Sequence, residues 1–169
     1  MKESIIVLMG VSGCGKTAVG KALAEKLDIA FLEGDDFHSQ ENIAKMSSGV
    51  PLDDKDRENW FRAIREAMQK QSGSAILSCS ALKQKHRAFL ADCSKTVRFV
   101  HLDGEPKLLE KRIQARTGHF FDPKLLDSQL KSLEKPSPEE SAFAVNIEPS
   151  VQKIVAFIRA RLEASDQSL

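Results

Sequence analysis

Residues Gly10 to Thr17 read GVSGCGKT, and no other stretch restricts so closely what this chain can fold into. They match G-x-x-x-x-G-K-[ST] at every required position, after the apolar run IIVLM and before the amphipathic run AVGKALAEKL. A loop of this kind between a strand and a helix turns successive backbone N–H groups inward around a polyphosphate, and its glycines permit the tight path. The helix that follows adds the positive end of its dipole. Gly10, Val11, Ser12, Gly13, Cys14 and Gly15 would form the cradle for ATP, Lys16 would reach the β- and γ-phosphates, and the Thr17 hydroxyl would ligate Mg²⁺. Cys14 is read as filling a small position in the loop, with no catalytic part.

The rest of the chain alternates in the same sense. The runs SIIVLM, IAFLE, SAILSC, TVRFVHL and FAVNI are nearly continuous in apolar and β-branched residues, as suits strands covered on both faces. Between them Val19, Leu23 and Leu27 share a helical face, as do Trp60, Ile64 and Met68. Leu109 with Ile113, and Val151 with Ile154, Val155, Ile158 and Leu162, repeat the pattern. This alternation predicts an α/β fold: a three-layer α/β/α sandwich around a five-stranded parallel sheet, one domain over residues 1–169. Ligands on such sheets bind beyond the carboxyl ends of the strands.

Charge narrows the classes of partner. Twenty-five Lys and Arg stand against 24 Asp and Glu, a formal net charge of +1, so nothing electrostatic calls for nucleic acid or a membrane surface. Cys14, Cys79 and Cys93 form no CxxC pair, which argues against a disulfide framework or a zinc site and fits a reducing compartment. The opening MKESIIVLMG is too short in its apolar part for a signal peptide, and no run reaches transmembrane length. The expected address is the cytoplasm.

Many loops of this kind that hydrolyse nucleotides have an aspartate at the end of a following apolar strand. Here SAILSCSALK ends in serines and a lysine, and the acids lie instead after IAFL, as Glu33, Asp35 and Asp36. Carboxylates in that place suit a small-molecule kinase that must orient an acceptor hydroxyl. Asp35 would accept the proton of the attacking hydroxyl, and Glu33 would contact a magnesium-bound water. Asp36 is read as a cap or a solvent-facing acid.

Three blocks then carry a resemblance: GDDFHSQENIAKMSSGVPLDDKDRENW, CSALKQKHR and ARTGHFFDPKLLDSQLKSLEKP. In combination, and in collinear order over nearly the whole chain, they resemble the gluconate kinases. These are P-loop small-molecule kinases related to the shikimate and nucleoside monophosphate kinases. The resemblance implies ATP-dependent phosphorylation of D-gluconate on its 6-hydroxyl, and a homodimer. A pocket for a polyol with a carboxylate at one end needs cations and several hydrogen-bonding side chains. Arg57, Lys83 and Arg87 would supply the cations, Arg57 with a planar fork suited to carboxylate. His38, Asn42, Lys45 and Ser80 would reach hydroxyls. The bland alternatives are a satisfied histidine at position 38 and, for Arg57, the solvated first turn of a helix opened by DDKDRENW.

Residues 112–136 lie between the fourth and fifth apolar runs, where relatives of this fold carry an insertion that closes over the phosphates. Arg116 would meet the γ-phosphate, Arg112 would stack on adenine, and His119 would meet substrate or phosphate. An arginine pair at this spacing also describes one exposed helical face. Two rival functions remain open at this point: a kinase for shikimate or a nucleotide, and a nucleotide-dependent binding module without transferase activity.

Overall fold

The computed structural model describes residues 3–116 and 123–166. The elements run β1 (Ser4–Met9), α1 (Lys16–Leu27), β2 (Ala30–Glu33), a 3-10 turn (Gly34–Phe37), α2 (Gln40–Ser47), α3 (Asp54–Lys70), β3 (Ala75–Ser78) and α4 (Gln84–Ala91). There follow β4 (Thr96–Asp103), α5 (Pro106–Gln114), α6 (Pro123–Ser132), a second 3-10 turn (Pro138–Glu140), β5 (Ala142–Asn146) and α7 (Val151–Asp166). All strand pairs are parallel, in the order β2-β3-β1-β4-β5. The expected α/β sheet therefore forms, with each predicted strand within a residue or so of its apolar run.

Period-2 alternation makes the three layers. On β1, Ile5, Val7 and Met9 face a core with Trp60, Phe61, Ile64 and Met68 of α3 and Leu90 of α4. Ile6 and Leu8 face the opposite core, with Val19 and Leu23 of α1, Leu109 and Ile113 of α5, and Ile154, Val155, Ile158 and Leu162 of α7. Every residue of β3 is buried, as two-sided cover requires. The edge strands depart from that expectation: β2 is half-buried along its length, and β5 buries only Val145. A strand at the sheet margin has a neighbour on one side alone, so an apolar run does not guarantee cover.

Chain order places the site. From β1 the chain passes outward to β2, returns to β3 beside β1, and then crosses to β4 on the other side of β1. This reversal opens a crevice at the carboxyl end of β1, where the GVSGCGKT loop sits. Among the described residues, no helix is long and apolar enough to cross a membrane.

Candidate active site

The phosphate loop is folded around its own lysine. Lys16 Nζ donates to the carbonyls of Gly10 at 2.9 Å and Val11 at 3.2 Å, and lies 3.8 Å from Cys14 Sγ. Gly13 has φ 84°, and a Cβ there would stand 2.8 Å from Ile113 Cγ1, so α5 packs against the loop only because this residue is glycine. Val11 and Cys14 are buried and support the loop from within. From α5, Arg112 Nη2 donates to the Ile147 carbonyl at 2.6 Å, with its other terminal nitrogen beside Gly15. That puts the guanidinium at the rim of the loop.

Thr17, at the start of α1, donates from Oγ1 to Glu33 Oε2 at 2.6 Å. The two residues expected around Mg²⁺ are thus neighbours. Directly after Glu33 the chain enters the 3-10 turn. A Cβ on Gly34 would lie 2.3 Å from the Ser78 carbonyl, so a side chain here would prise the turn off β3. The turn presents Asp35 to solvent, with its Oδ1 4.0 Å from His38 Nε2. Burial pushes the Cys79 thiol up to about 12, and the charges of Lys16, Asp35 and Glu33 all bear on it. Cys79 directly follows β3, so this thiol marks the carboxyl end of that strand.

A cleft of about 190 Å³ opens beside this point, and Arg57, Ser80 and Lys83 line it together. Arg57 is well placed to bind an anion: its nearest acid is Asp54 at 3.9 Å, and both side chains are open to solvent. Sequence reasoning missed His86, Ser128, Gln129 and Ser132, which line the same cleft. His86 stacks on Phe61 with centroids 4.4 Å apart. Burial, then the charges of Lys85, Lys83 and Arg57, pull its imidazole down to about 4, so it is neutral at neutral pH and can both donate and accept. The serines and Gln129 belong to LLDSQLKS, a string whose family signature was visible but whose residues suggested no role.

Other expected contacts are committed elsewhere, and here the structure corrects the sequence reading. Arg87 is 1% exposed, and its Nε and Nη2 donate to the Glu140 carboxylate at 2.6 and 3.1 Å. Its Nη1 donates to the Ala81 and Leu82 carbonyls at 3.0 and 3.1 Å. It is a structural ion pair, not a cation left over for substrate. Ala81 has φ 41°, a strained left-handed conformation that this guanidinium holds in place, so Arg87 fixes the loop bearing Ser80 and Lys83. Lys45 pairs with Asp56 at 2.7 Å, and Asp56 also closes the capping box with Asp53 that starts α3. Asn42 is 3% exposed and donates to the Asp56 carbonyl at 3.2 Å, tying α2 to α3. Lys45 and Asn42 brace the acceptor region rather than line the cleft. Half of the reading for His38 changes too: its ring lies flat on Trp60, 4.3 Å between centroids and 12° between planes, so it acts as a packed wedge behind Asp35.

The expected cover over 112–136 contains a docked helix. Leu126 of α6 is 1% exposed in the main core, and the backbone N–H of Glu134 donates to the Leu82 carbonyl at 2.9 Å. Glu134 Oε2 in turn accepts from the Gln84 N–H at 2.7 Å. Arg116 stands exposed just beyond α5. His119 lies outside the described residues.

Comparison with known proteins identifies the scaffold. The shikimate kinase (SKI) family model matches residues 12–162. A probable gluconokinase of Xenopus tropicalis is 40% identical over 94% of this chain and 93% of its own. The thermoresistant gluconokinase of Escherichia coli (strain K12) is 40% identical over 90% of this chain and 89% of its own. The crystal structure of a gluconokinase from Sinorhizobium meliloti 1021 superposes with a TM-score of 0.86 at 40% identity, covering 99% of this chain and 98% of that one. A scaffold matched over most of its length, with relatives this similar on both counts, makes the assignment plain: the chain belongs to the shikimate kinase family and, within it, to the gluconokinases.

Proposed function

We propose that this protein transfers the γ-phosphoryl group of ATP to the 6-hydroxyl of D-gluconate, giving 6-phospho-D-gluconate and ADP. The observation that carries the acceptor is the cleft in which Arg57, Ser80 and Lys83 converge beside the phosphate loop. Two cations among neutral hydrogen-bonding side chains match a carboxylate joined to a chain of hydroxyls. Forty per cent identity to proteins named gluconokinase, over about nine-tenths of both chains, supports the same substrate.

In this mechanism the loop amides and Lys16 hold the β- and γ-phosphates, with Lys16 exchanging its Gly10 and Val11 carbonyls for phosphate oxygens. Thr17 Oγ1 and Glu33 Oε2 form a hard oxygen pair that fits Mg²⁺, and these two residues would hold it. Bound with ATP, Mg²⁺ supplies charge neutralisation on the phosphate oxygens. Arg57 and Lys83 hold the substrate carboxylate, so the far end of the polyol reaches Asp35. Asp35 takes the proton of the 6-hydroxyl as it attacks in line, and Arg116 meets the charge on the transferring group. Arg112 lies along the base, and no covalent phosphoenzyme is needed.

The second reading, a shikimate acceptor, rests on shikimate also joining a carboxylate to hydroxyls, and the relatives named gluconokinase do not favour it. Coupled ADP release with Mg-ATP and a panel of gluconate, shikimate and nucleoside monophosphates decides between them. Turnover on gluconate alone is the expected result. Turnover confined to another acceptor overturns the reading, and ATP binding without turnover on any acceptor would point to a binding module.

A further inference from the structure

Resting on the acceptor cleft just described, we propose that Gln129 is a positioning residue that holds acceptor and donor in register during transfer. Its Oε1 accepts from the backbone N–H of Ser12 at 2.7 Å, across 117 positions of sequence. Ser12 is the third residue of the phosphate loop, and the same Gln129 side chain lines the cleft with Arg57, Ser80 and Lys83. One carboxamide therefore touches both the mould for the donor and the wall of the acceptor site.

The chemistry of the amide fits this double place. With Oε1 committed to Ser12, the Nε2 group keeps two donors for a hydroxyl or a phosphoryl oxygen. A carboxylate would hold the Ser12 N–H equally well but would set a negative charge against the transferring group. An apolar residue would leave that N–H without its side-chain partner.

Rigidity of the support gives the contact its meaning. Helix α6 is anchored on one side of Gln129 by Leu126, 1% exposed in the core. On the other side Glu134 binds the backbone of Leu82 and Gln84, which flank Lys83. The loop that carries Ser12 is thus fixed against α6, and the segment that carries Lys83 against the residues that directly follow it. Catalysis by orientation needs such a frame, because a misplacement of about 1 Å costs on the order of 10²-fold in rate.

The test compares Gln129→Ala and Gln129→Glu with the wild-type protein by steady-state kinetics, thermal unfolding and amide hydrogen exchange at Ser12. Gln129→Ala is expected to lower kcat on the order of 10²-fold while the melting temperature and the KM for ATP stay near wild type, and Ser12 exchange should speed up. Gln129→Glu should keep Ser12 protected yet lose turnover, which separates the added charge from the lost hydrogen bond. A kcat in Gln129→Ala within about twofold of wild type overturns the proposal. So does unchanged Ser12 exchange, or a rate loss that tracks unfolding and vanishes on cooling. If the wild-type protein uses another acceptor, the gluconate reading fails and the same comparison on that acceptor still judges Gln129. Exchange at Ser12 reports the contact with no acceptor present.

Discussion

The indole Nε1 of Trp60 donates to the Gly34 carbonyl at 2.8 Å, joining α3 to the turn that carries Asp35. His38 stacks on the same indole and lies against Asp35. One buried aromatic therefore sets the position of the proposed base from two sides. Trp60→Phe keeps a ring to stack on and removes the donor. It should cost about 1 kcal/mol of stability by denaturant unfolding. It should also lower kcat several-fold more than it changes the KM for ATP.

Asp35→Asn removes the proton acceptor while keeping the shape of the turn. ATP binding, measured by calorimetry, should persist, and kcat should fall on the order of 10²- to 10⁴-fold. A kcat like that of the wild type would remove Asp35 from the chemistry.

Among the described residues Arg57 has a single ion pair, long and exposed, with Asp54, so its removal should leave the fold intact. Loss of a charge-assisted hydrogen bond of about 1.5–3 kcal/mol predicts a rise in the KM for gluconate of roughly 10- to 100-fold. The KM for ATP should hardly move. An unchanged gluconate KM shifts the carboxylate clamp to Lys83.

Arg87→Met tests the opposite kind of arginine. It leaves the mostly buried Glu140 carboxylate without its partner, and should cost about 3–5 kcal/mol of stability. Hydrogen bonds from Arg87 hold Glu140 below its ordinary value of 4.5. The stabilisation is therefore complete above that value and lost as pH falls through the lower folded one. The variant should show a flatter melting-temperature profile below about pH 4.5 than the wild type.

His86 acts in a higher window. Its folded value of about 4 lies under the ordinary 6.5, so the unfolded chain takes up a proton first as the solution is acidified. Stability should be full above pH 6.5 and decline as pH falls toward 4. His86→Gln should remove part of that slope in a pH series of thermal melts. His38 and His101, whose values burial also lowers, add to the same slope.

What could be read in advance follows from the range of each interaction. The phosphate loop is legible because its glycines, lysine and threonine act within a few neighbouring residues of one another. The strands are legible because burial on two faces demands unbroken apolar runs, a rule that weakens at the edges, as β2 and β5 show. Arg57 and Lys83 were recognisable by their chemistry. Arg87 has the same chemistry, and only Glu140, 53 positions on, reveals that its charge is spent inside the protein. Lys45 and Asn42 likewise depend on Asp56, whose part in starting α3 is local while its hold on α2 is not. Gln129 could not be assigned a task from sequence, since its partner is a main-chain N–H that carries no side-chain signature.

The lysine resting on the Gly10 and Val11 carbonyls has a thermodynamic consequence. A strand end whose carbonyls already have a cation needs no guest to take its shape, so ATP enters a mould that is set beforehand. Association should then lack the large negative heat-capacity change of a segment that folds around its ligand. Selectivity at this end of the molecule comes from swapping one set of oxygens for another on a single ammonium group.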